Sequence, residues 1–176
     1  MSERLAPLIS ARRIGRRVAE LARQIEADHC GAPLTLVVVL KGATVFAADL
    51  MRQIAIPFVI DFVRASSYRD RTRSSGTVLI RDQSGLDVRG HRVILVEDIV
   101  DTGLTIASMI AELRKLEPAS LDVCALLHKR VAGATAVDIR YKGFDVPDVF
   151  VVGYGMDYAE RYRNLSGISR LVPAGR

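Results

Sequence analysis

Glu97, Asp98, Asp101, Thr102, Gly103 and Thr105 stand close together in the stretch VILVEDIVDTGLTI, which runs from Val93 to Ile106. Acids and hydroxyls thus follow directly on an apolar, strand-like run. Buried carboxylates are costly unless they are paired or ligated, so something must compensate them. Glu97 and Asp98 are adjacent on a strand end and point to opposite sides of it. They accept hydrogen bonds rather than donate them, and suit vicinal sugar hydroxyls or a hard cation such as Mg²⁺. Asp101-Thr102-Gly103-Leu104-Thr105 offers the opposite chemistry. A glycine in a strand-to-helix turn lets backbone N–H groups converge, and the new helix adds unpaired N–H groups and a positive dipole end. With two threonine hydroxyls, this makes a nest for a phosphate monoester. The same residues also read as a helix start capped by Asp101 or a threonine. Neither a Walker A loop nor a G-x-G-x-x-G turn occurs in the chain. Hydroxyl acceptors beside a phosphate nest describe a site for a ribose 5-phosphate.

Strands and helices must bring these groups together. Ile14, Val18, Leu21 and Ile25 recur at three- and four-residue steps, which predicts an amphipathic helix from Ile9 to about His29, with Ser10 as a plausible N-cap. PLTLVVVLKG reads as a buried strand ending at Gly42, and ATVFAADLMRQI as a helix. PFVIDFVRASSY, TVLIRD and RVILVEDI read as strands, GLTIASMIAELRKLE as a helix, and SLDVCALLHK and DVFVVGYGM as two further strands. RDRTRSSG is polar and rich in arginine, and reads as a loop. Strands alternating with helices predict one α/β domain over residues 1–176, with a mainly parallel sheet. Ligands of such sheets bind beyond the carboxyl ends of the strands. Lys41-Gly42, Glu97-Asp98, Lys129 and Gly153 to Asp157 all fall at or just past strand ends.

VILVEDIVDTGLTI resembles the phosphoribosyl-pyrophosphate (PRPP) signature of the type I phosphoribosyltransferases. VVLKGATVFAADL, SSYRDRTRSSG, LLHKR and PDVFVVGYGMDYAERYRNL are similar to segments of the branch that acts on hypoxanthine and guanine, and they occur in the same order. The resemblance implies a twisted parallel sheet flanked by helices, with a small hood and a mobile loop. It also implies displacement of pyrophosphate from PRPP by N9 of a 6-oxopurine, with Mg²⁺, in a homodimer or homotetramer. By position, Glu97 and Asp98 would hold the ribose hydroxyls, directly or through Mg²⁺. Asp101 to Thr105 would hold the 5-phosphate. Asp101 would also serve as acid/base partner of purine N7, with partial burial raising its pKa. Lys41-Gly42 would form the pyrophosphate turn, with unusual peptide geometry, and Arg163 would reach the same group. Ser67-Tyr68 would open the mobile loop; contact of Arg69, Arg71 or Arg73 with pyrophosphate stays open. Lys129 would donate to the 6-oxo group and Phe150 would stack on the base. Val151 and Asp157 would offer it backbone carbonyls, with the Asp157 side chain on a second Mg²⁺. RNLSGIS, ending at Ser169, departs from the RNLPYIG of relatives.

Composition sets the outer limits. With 176 residues, 49% hydrophobic and 26% charged, the chain suits one globular core rather than disorder. No apolar run approaches the roughly 20 residues of a membrane helix, and the N-terminus has no apolar segment of a secretory signal. Cys30 and Cys124 form neither a metal spacing nor a disulfide framework, which suits a reduced, cytoplasmic protein. His29, His91 and His128 have no nucleophile beside them and read as structural or surface residues. The net charge of +5 fits phosphate-bearing small molecules or nucleic acid. A regulator of the same fold, sensing PRPP or nucleotides and binding nucleic acid, is therefore the alternative to an enzyme. Its weakness is that Asp101, Lys129, Asp157 and Arg163 are all retained and the arginines are scattered in sequence.

Overall fold

The structure is a computed structural model and describes residues 4–67, 78–81 and 86–172. The chain opens with strand β1 (Arg4–Ile9), then helix α1 (Ala11–His29). The predicted helix thus starts two residues late, because Ile9 belongs to the strand. Ser10 is the N-cap, in extended conformation, and its hydroxyl accepts from Arg13 N at 3.4 Å. Ile14, Val18, Leu21, Ala22 and Ile25 form the buried face, and burying each larger aliphatic side chain contributes about 2 kcal/mol.

Strand β2 (Leu34–Leu40), helix α2 (Thr44–Met51) and strand β3 (Val59–Ser67) follow. Strand β4 (Val78–Arg81) runs antiparallel to β3. Strand β5 (Arg92–Val100), helix α3 (Leu104–Arg114), strand β6 (Ser120–Lys129) and strand β7 (Tyr141–Val146) complete a sheet of order β4-β3-β2-β5-β6-β7. All pairs within it are parallel except β3 with β4. The chain adds β3 on one side of β2 and β5 on the other. The topological switch point, where such sheets bind ligands, therefore lies between the ends of β2 and β5.

Both faces of the sheet are covered, which explains the uninterrupted apolar runs. Leu36, Val38, Ile94 and Val96 pack toward α1 and α2. Val37, Val39, Val93 and Leu95 pack toward Ile106, Met109 and Leu113 of α3. The period of two continues into the acids. Glu97 follows Val93 and Leu95 on the α3 side, and Asp98 follows Ile94 and Val96 on the α2 side.

A second, antiparallel sheet of order β1-β9-β8 joins the two ends of the chain, through β8 (Val151–Val152) and β9 (Ile168–Val172). It is the hood. β1, β7 and β9 were not expected from the sequence. The expected strand DVFVVGYGM shrinks to two residues, because the backbone turns at Gly153, Tyr154 and Gly155, all with positive φ. Tyr154 N donates to Leu165 O at 2.8 Å, and its hydroxyl donates to Asp49 Oδ2 of α2 at 2.6 Å. These bonds tie the hood to the helix that follows the Lys41-Gly42 turn.

Candidate active site

Two adjoining cavities open at the β2/β5 switch point. The larger, about 420 Å³, is bounded by Lys41, Gly42, Asp98, Asp101, Lys129, Phe150, Val151, Asp157 and Arg163, together with Ile99, Met156 and Glu160. The smaller, about 110 Å³, is bounded by Glu97, Asp101, Thr102, Gly103 and Thr105, with Ile99, Val100 and Ile106. Ile99 and Asp101 line both, so the cavities meet at the end of β5.

The smaller cavity sits on the start of α3. Gly103 is the N-cap residue, with φ 77°, and no side chain among the described residues caps the helix. Neither Asp101 nor a threonine acts as cap, so the first N–H groups of α3 stay open to a ligand, as an anion site requires. Gly103 occupies a left-handed conformation that glycine adopts without strain, and a Cβ there would collide with Thr135 O. Leu104 contributes backbone to this turn; its side chain is exposed.

Glu97 and Asp98 are both buried. Glu97 Oε1 accepts from Asp98 N at 3.0 Å, and Asp98 Oδ1 from Ile99 N at 3.0 Å. Burial raises the Glu97 pKa well above the ordinary carboxyl value, and the neighbouring Asp98 adds to the rise. The cost anticipated for acids at this strand end is therefore present. Asp98 lies against Gly42, where any Cβ would overlap its carboxylate. The peptide bond between Leu40 and Lys41 is cis, so the unusual geometry expected at this turn lies one bond before Lys41-Gly42.

Asp101 differs from expectation. Its side chain is 50% exposed, because β5 ends at Val100 and Asp101 begins the turn. Lys129 Nζ, at the end of β6, donates to Asp101 Oδ2 at 2.7 Å. Lys129 is itself buried and lies 3.8 Å from Asp148. Phe150 presents a half-exposed ring to the cavity and packs edge-on against Tyr158, with centroids 5.6 Å apart. Asp157 Oδ1 pairs with Arg163 Nη2 at 2.7 Å, and Arg163 Nη1 donates to Gly155 O at 2.8 Å.

Ser67 ends β3, opposite Val78. Tyr68 and the arginines at 69, 71 and 73 lie outside the described residues. The histidines stay away from both cavities and bond elsewhere. His29 meets the Tyr141 hydroxyl at 2.9 Å, His91 the Thr35 hydroxyl at 2.8 Å, and His128 the Asp145 carboxylate at 2.8 Å.

The resemblance implies Mg²⁺. Among the described residues, no group of three or more His, Cys, Asp or Glu side chains converges to hold a metal alone. Mg²⁺ commonly binds through one or two carboxylates, with substrate and water oxygens completing its shell. The buried Glu97-Asp98 pair and the cavity-lining Asp157 fit that mode. Sequence reasoning passed over Glu160, a lone acid within a charged run, and Tyr158, whose only signal was its place among neighbouring aromatics.

An uncapped helix start next to paired acids, at the switch point of a parallel sheet and under a hood, has the chemistry that suits a phosphorylated sugar. Comparison with known sequences and structures narrows the class. The chain belongs to the phosphoribosyltransferases, since the sequence model of the phosphoribosyl transferase domain matches residues 8–159. It is 46% identical over 172 residues to the hypoxanthine-guanine phosphoribosyltransferase of Mycobacterium avium, covering 94% of this chain and 85% of that one. It is 39% identical over 174 residues to the hypoxanthine phosphoribosyltransferase of Salmonella typhimurium, covering 98% of each. A crystal structure of a hypoxanthine-guanine phosphoribosyltransferase from Bacillus anthracis superimposes with a TM-score of 0.89 at 42% identity, over 95% of this chain and 98% of that one. All three relatives are named as enzymes, and nothing among them supports a nucleic-acid-binding regulator.

Proposed function

We infer that this chain transfers the 5-phosphoribosyl group of PRPP to N9 of a 6-oxopurine, hypoxanthine or guanine or both. The products are IMP or GMP and pyrophosphate, a purine salvage reaction. The observation that carries the reading is a single arrangement: the open α3 start adjoins the Glu97-Asp98 pair, and both adjoin the Lys129-Asp101 contact of 2.7 Å beside Phe150. Lys129 and Asp101 are a donor and an acceptor within one hydrogen bond of each other. On a 6-oxopurine, O6 and N7 lie on one edge and call for that spacing.

In this reading Thr102, Gly103, Leu104 and Thr105 hold the 5-phosphate through backbone N–H groups and hydroxyls. Glu97 and Asp98 take the ribose side. Phe150 packs on the base, and the backbone of Val151 and Asp157 accepts from its edge. Lys129 releases Asp101 to donate to O6. An adenine 6-amino group would leave that buried ammonium unpaired, which favours 6-oxopurines. Asp101, once freed and covered by substrate, shares a proton with N7 as bond formation at N9 proceeds. Lys41, Gly42 and Arg163 face the leaving pyrophosphate. The transition state resembles an oxocarbenium ion, so fixed charges and positioning supply most of the acceleration. Mg²⁺, held by Glu97 and Asp98 and at a second position by Asp157, would neutralise charge on the leaving group. We also propose that residues 1–176 form one domain, that the protein works in the cytoplasm, and that it assembles as a homodimer or homotetramer.

The test is nucleotide formation from PRPP and Mg²⁺ with hypoxanthine, guanine, xanthine, adenine and uracil in turn. Turnover with hypoxanthine or guanine, and little with adenine or uracil, is expected. Equal turnover with adenine would contradict the role of Lys129, and no turnover with any base would contradict the reading itself.

A further inference from the structure

Glu160 has no part in the reaction described above, yet it lines the larger cavity. Its two carboxylate oxygens are divided between two cations. Oε1 accepts from Lys41 Nζ at 3.1 Å, and Oε2 from Arg163 Nη2 at 3.2 Å. Both bonds hold the carboxyl below its ordinary range, that to Lys41 foremost, so the group stays anionic.

The backbone places Glu160 at an uncommon position. Tyr158 and Arg161 exchange N–H···O bonds of 3.1 and 3.0 Å and close a tight turn. The two residues inside it, Ala159 and Glu160, have φ of 51° and 60°. Turns with positive φ at both central positions normally use Asn and Gly. Ala and Glu there are strained, because their Cβ atoms crowd the backbone in this conformation. Asp157 Oδ2 accepts from Glu160 N at 2.8 Å and fixes the turn from its other side. Strain of this kind persists where the surroundings hold it, and it collects at ligand clamps and switches.

We propose that Glu160 is an internal stand-in for the pyrophosphate group: its carboxylate bridges Lys41 and Arg163 and must leave when PRPP enters. This rests on the reading that Lys41 and Arg163 face pyrophosphate. Charge balance supports it. Lys41, Lys129 and Arg163 line the cavity together with Asp98, Asp101, Asp157 and Glu160, so an arriving polyanion meets cations that are already neutralised. Swinging Glu160 out frees Lys41 and leaves Arg163 Nη2 with Asp157 as its one remaining carboxylate partner among the described residues. Its return after bond breakage sets a tethered anion competing with the product for the same cations. The residue thus trades pyrophosphate affinity for faster release.

Calorimetric titration of inorganic pyrophosphate with Mg²⁺ into the full-length protein tests this, using wild type, Glu160→Gln, Glu160→Asp and Lys41→Met. Glu160→Gln should bind pyrophosphate roughly two- to fivefold more tightly, the scale of an exposed ion pair. The gain should be larger at low ionic strength. Glu160→Asp, with a shorter reach, should gain less, and the purine KM should stay unchanged in both. A purely structural role would weaken binding rather than tighten it. Unchanged or weaker binding in Glu160→Gln overturns the proposal. If Lys41→Met binds pyrophosphate more weakly in the same experiment, the leaving-group assignment still stands. If Lys41→Met is also unchanged, that assignment falls with it.

Discussion

Two stretches wall the same cavity and handle charge in opposite ways. The end of β5 with the start of α3, Glu97 to Thr105, is built on the sheet and leaves its needs unmet. Glu97 is buried with its pKa raised, and α3 begins without a side-chain cap. The turn from Asp157 to Arg163 projects from the hood and satisfies itself. Asp157 holds Arg163, and Glu160 spans Arg163 and Lys41. The first region joins β5 directly to α3. The second is closed by ion pairs within itself and to Lys41. In the proposed reading the first stretch is the template for the phosphoribosyl group, and the second supplies charges for the group that departs.

Breaking the template should have the largest effect. Asp101→Asn should lower turnover by about 10²-fold or more, the usual worth of a positioned acid/base, with PRPP affinity changed little. Steady-state kinetics check it, and unchanged turnover would remove Asp101 from the chemistry. Lys129→Ala comes next. The preference for hypoxanthine or guanine over adenine should fall by about 10²-fold, because the donor that penalises a 6-amino group is gone. Competition between the bases in one assay reads this directly, and an unchanged ratio would move the selectivity elsewhere. Gly42→Ala tests the junction of the two regions. Its Cβ would displace the Asp98 carboxylate, at a cost of about 1–3 kcal/mol of stability. A weakened PRPP KM should accompany it, as thermal unfolding and kinetics would show. A stable variant with normal KM would mean that Asp98 has room to move.

The sequence exposed the template better than the hood, for physical reasons. Strands covered on both faces read as unbroken apolar runs, so β2, β5 and β6 were evident, and polar residues at their ends stood out. The alternation that sends Glu97 to α3 and Asp98 to α2 is a property of any strand. β1 and β9 are short, and they pair Arg4 with Val172 across nearly the whole chain, which no local pattern signals. β7 is interrupted by Gly143 in its sequence YKGFDV, which hides its apolar alternation. Glu160 was hidden by its setting, since an acid among Tyr, Ala and Arg looks like a solvated surface. Only the positive φ and the two cations reveal its position. Asp101 stood out as an acid just past a strand end, while its partner Lys129, 28 residues on, could be placed beside it only by the pairing of β5 with β6.

The most direct test of an incomplete template is the melting temperature of the empty protein against pH, for wild type and Glu97→Gln, each repeated with PRPP and Mg²⁺. Burial raises the folded-state pKa of Glu97 above its ordinary 4.5. The folded protein then binds more protons than the unfolded chain just above that pH. The stability linked to this group is full below 4.5 and is lost as pH rises through the folded-state value. Gln keeps the bond from Asp98 N without the charge. Glu97→Gln should therefore melt a few degrees higher than wild type at pH 7, with the gap shrinking toward acid. PRPP with Mg²⁺ should raise the wild type more than the variant and close the gap. A variant that melts below wild type at neutral pH, or gains as much from PRPP and Mg²⁺, would contradict the claim that substrate and cation compensate these acids.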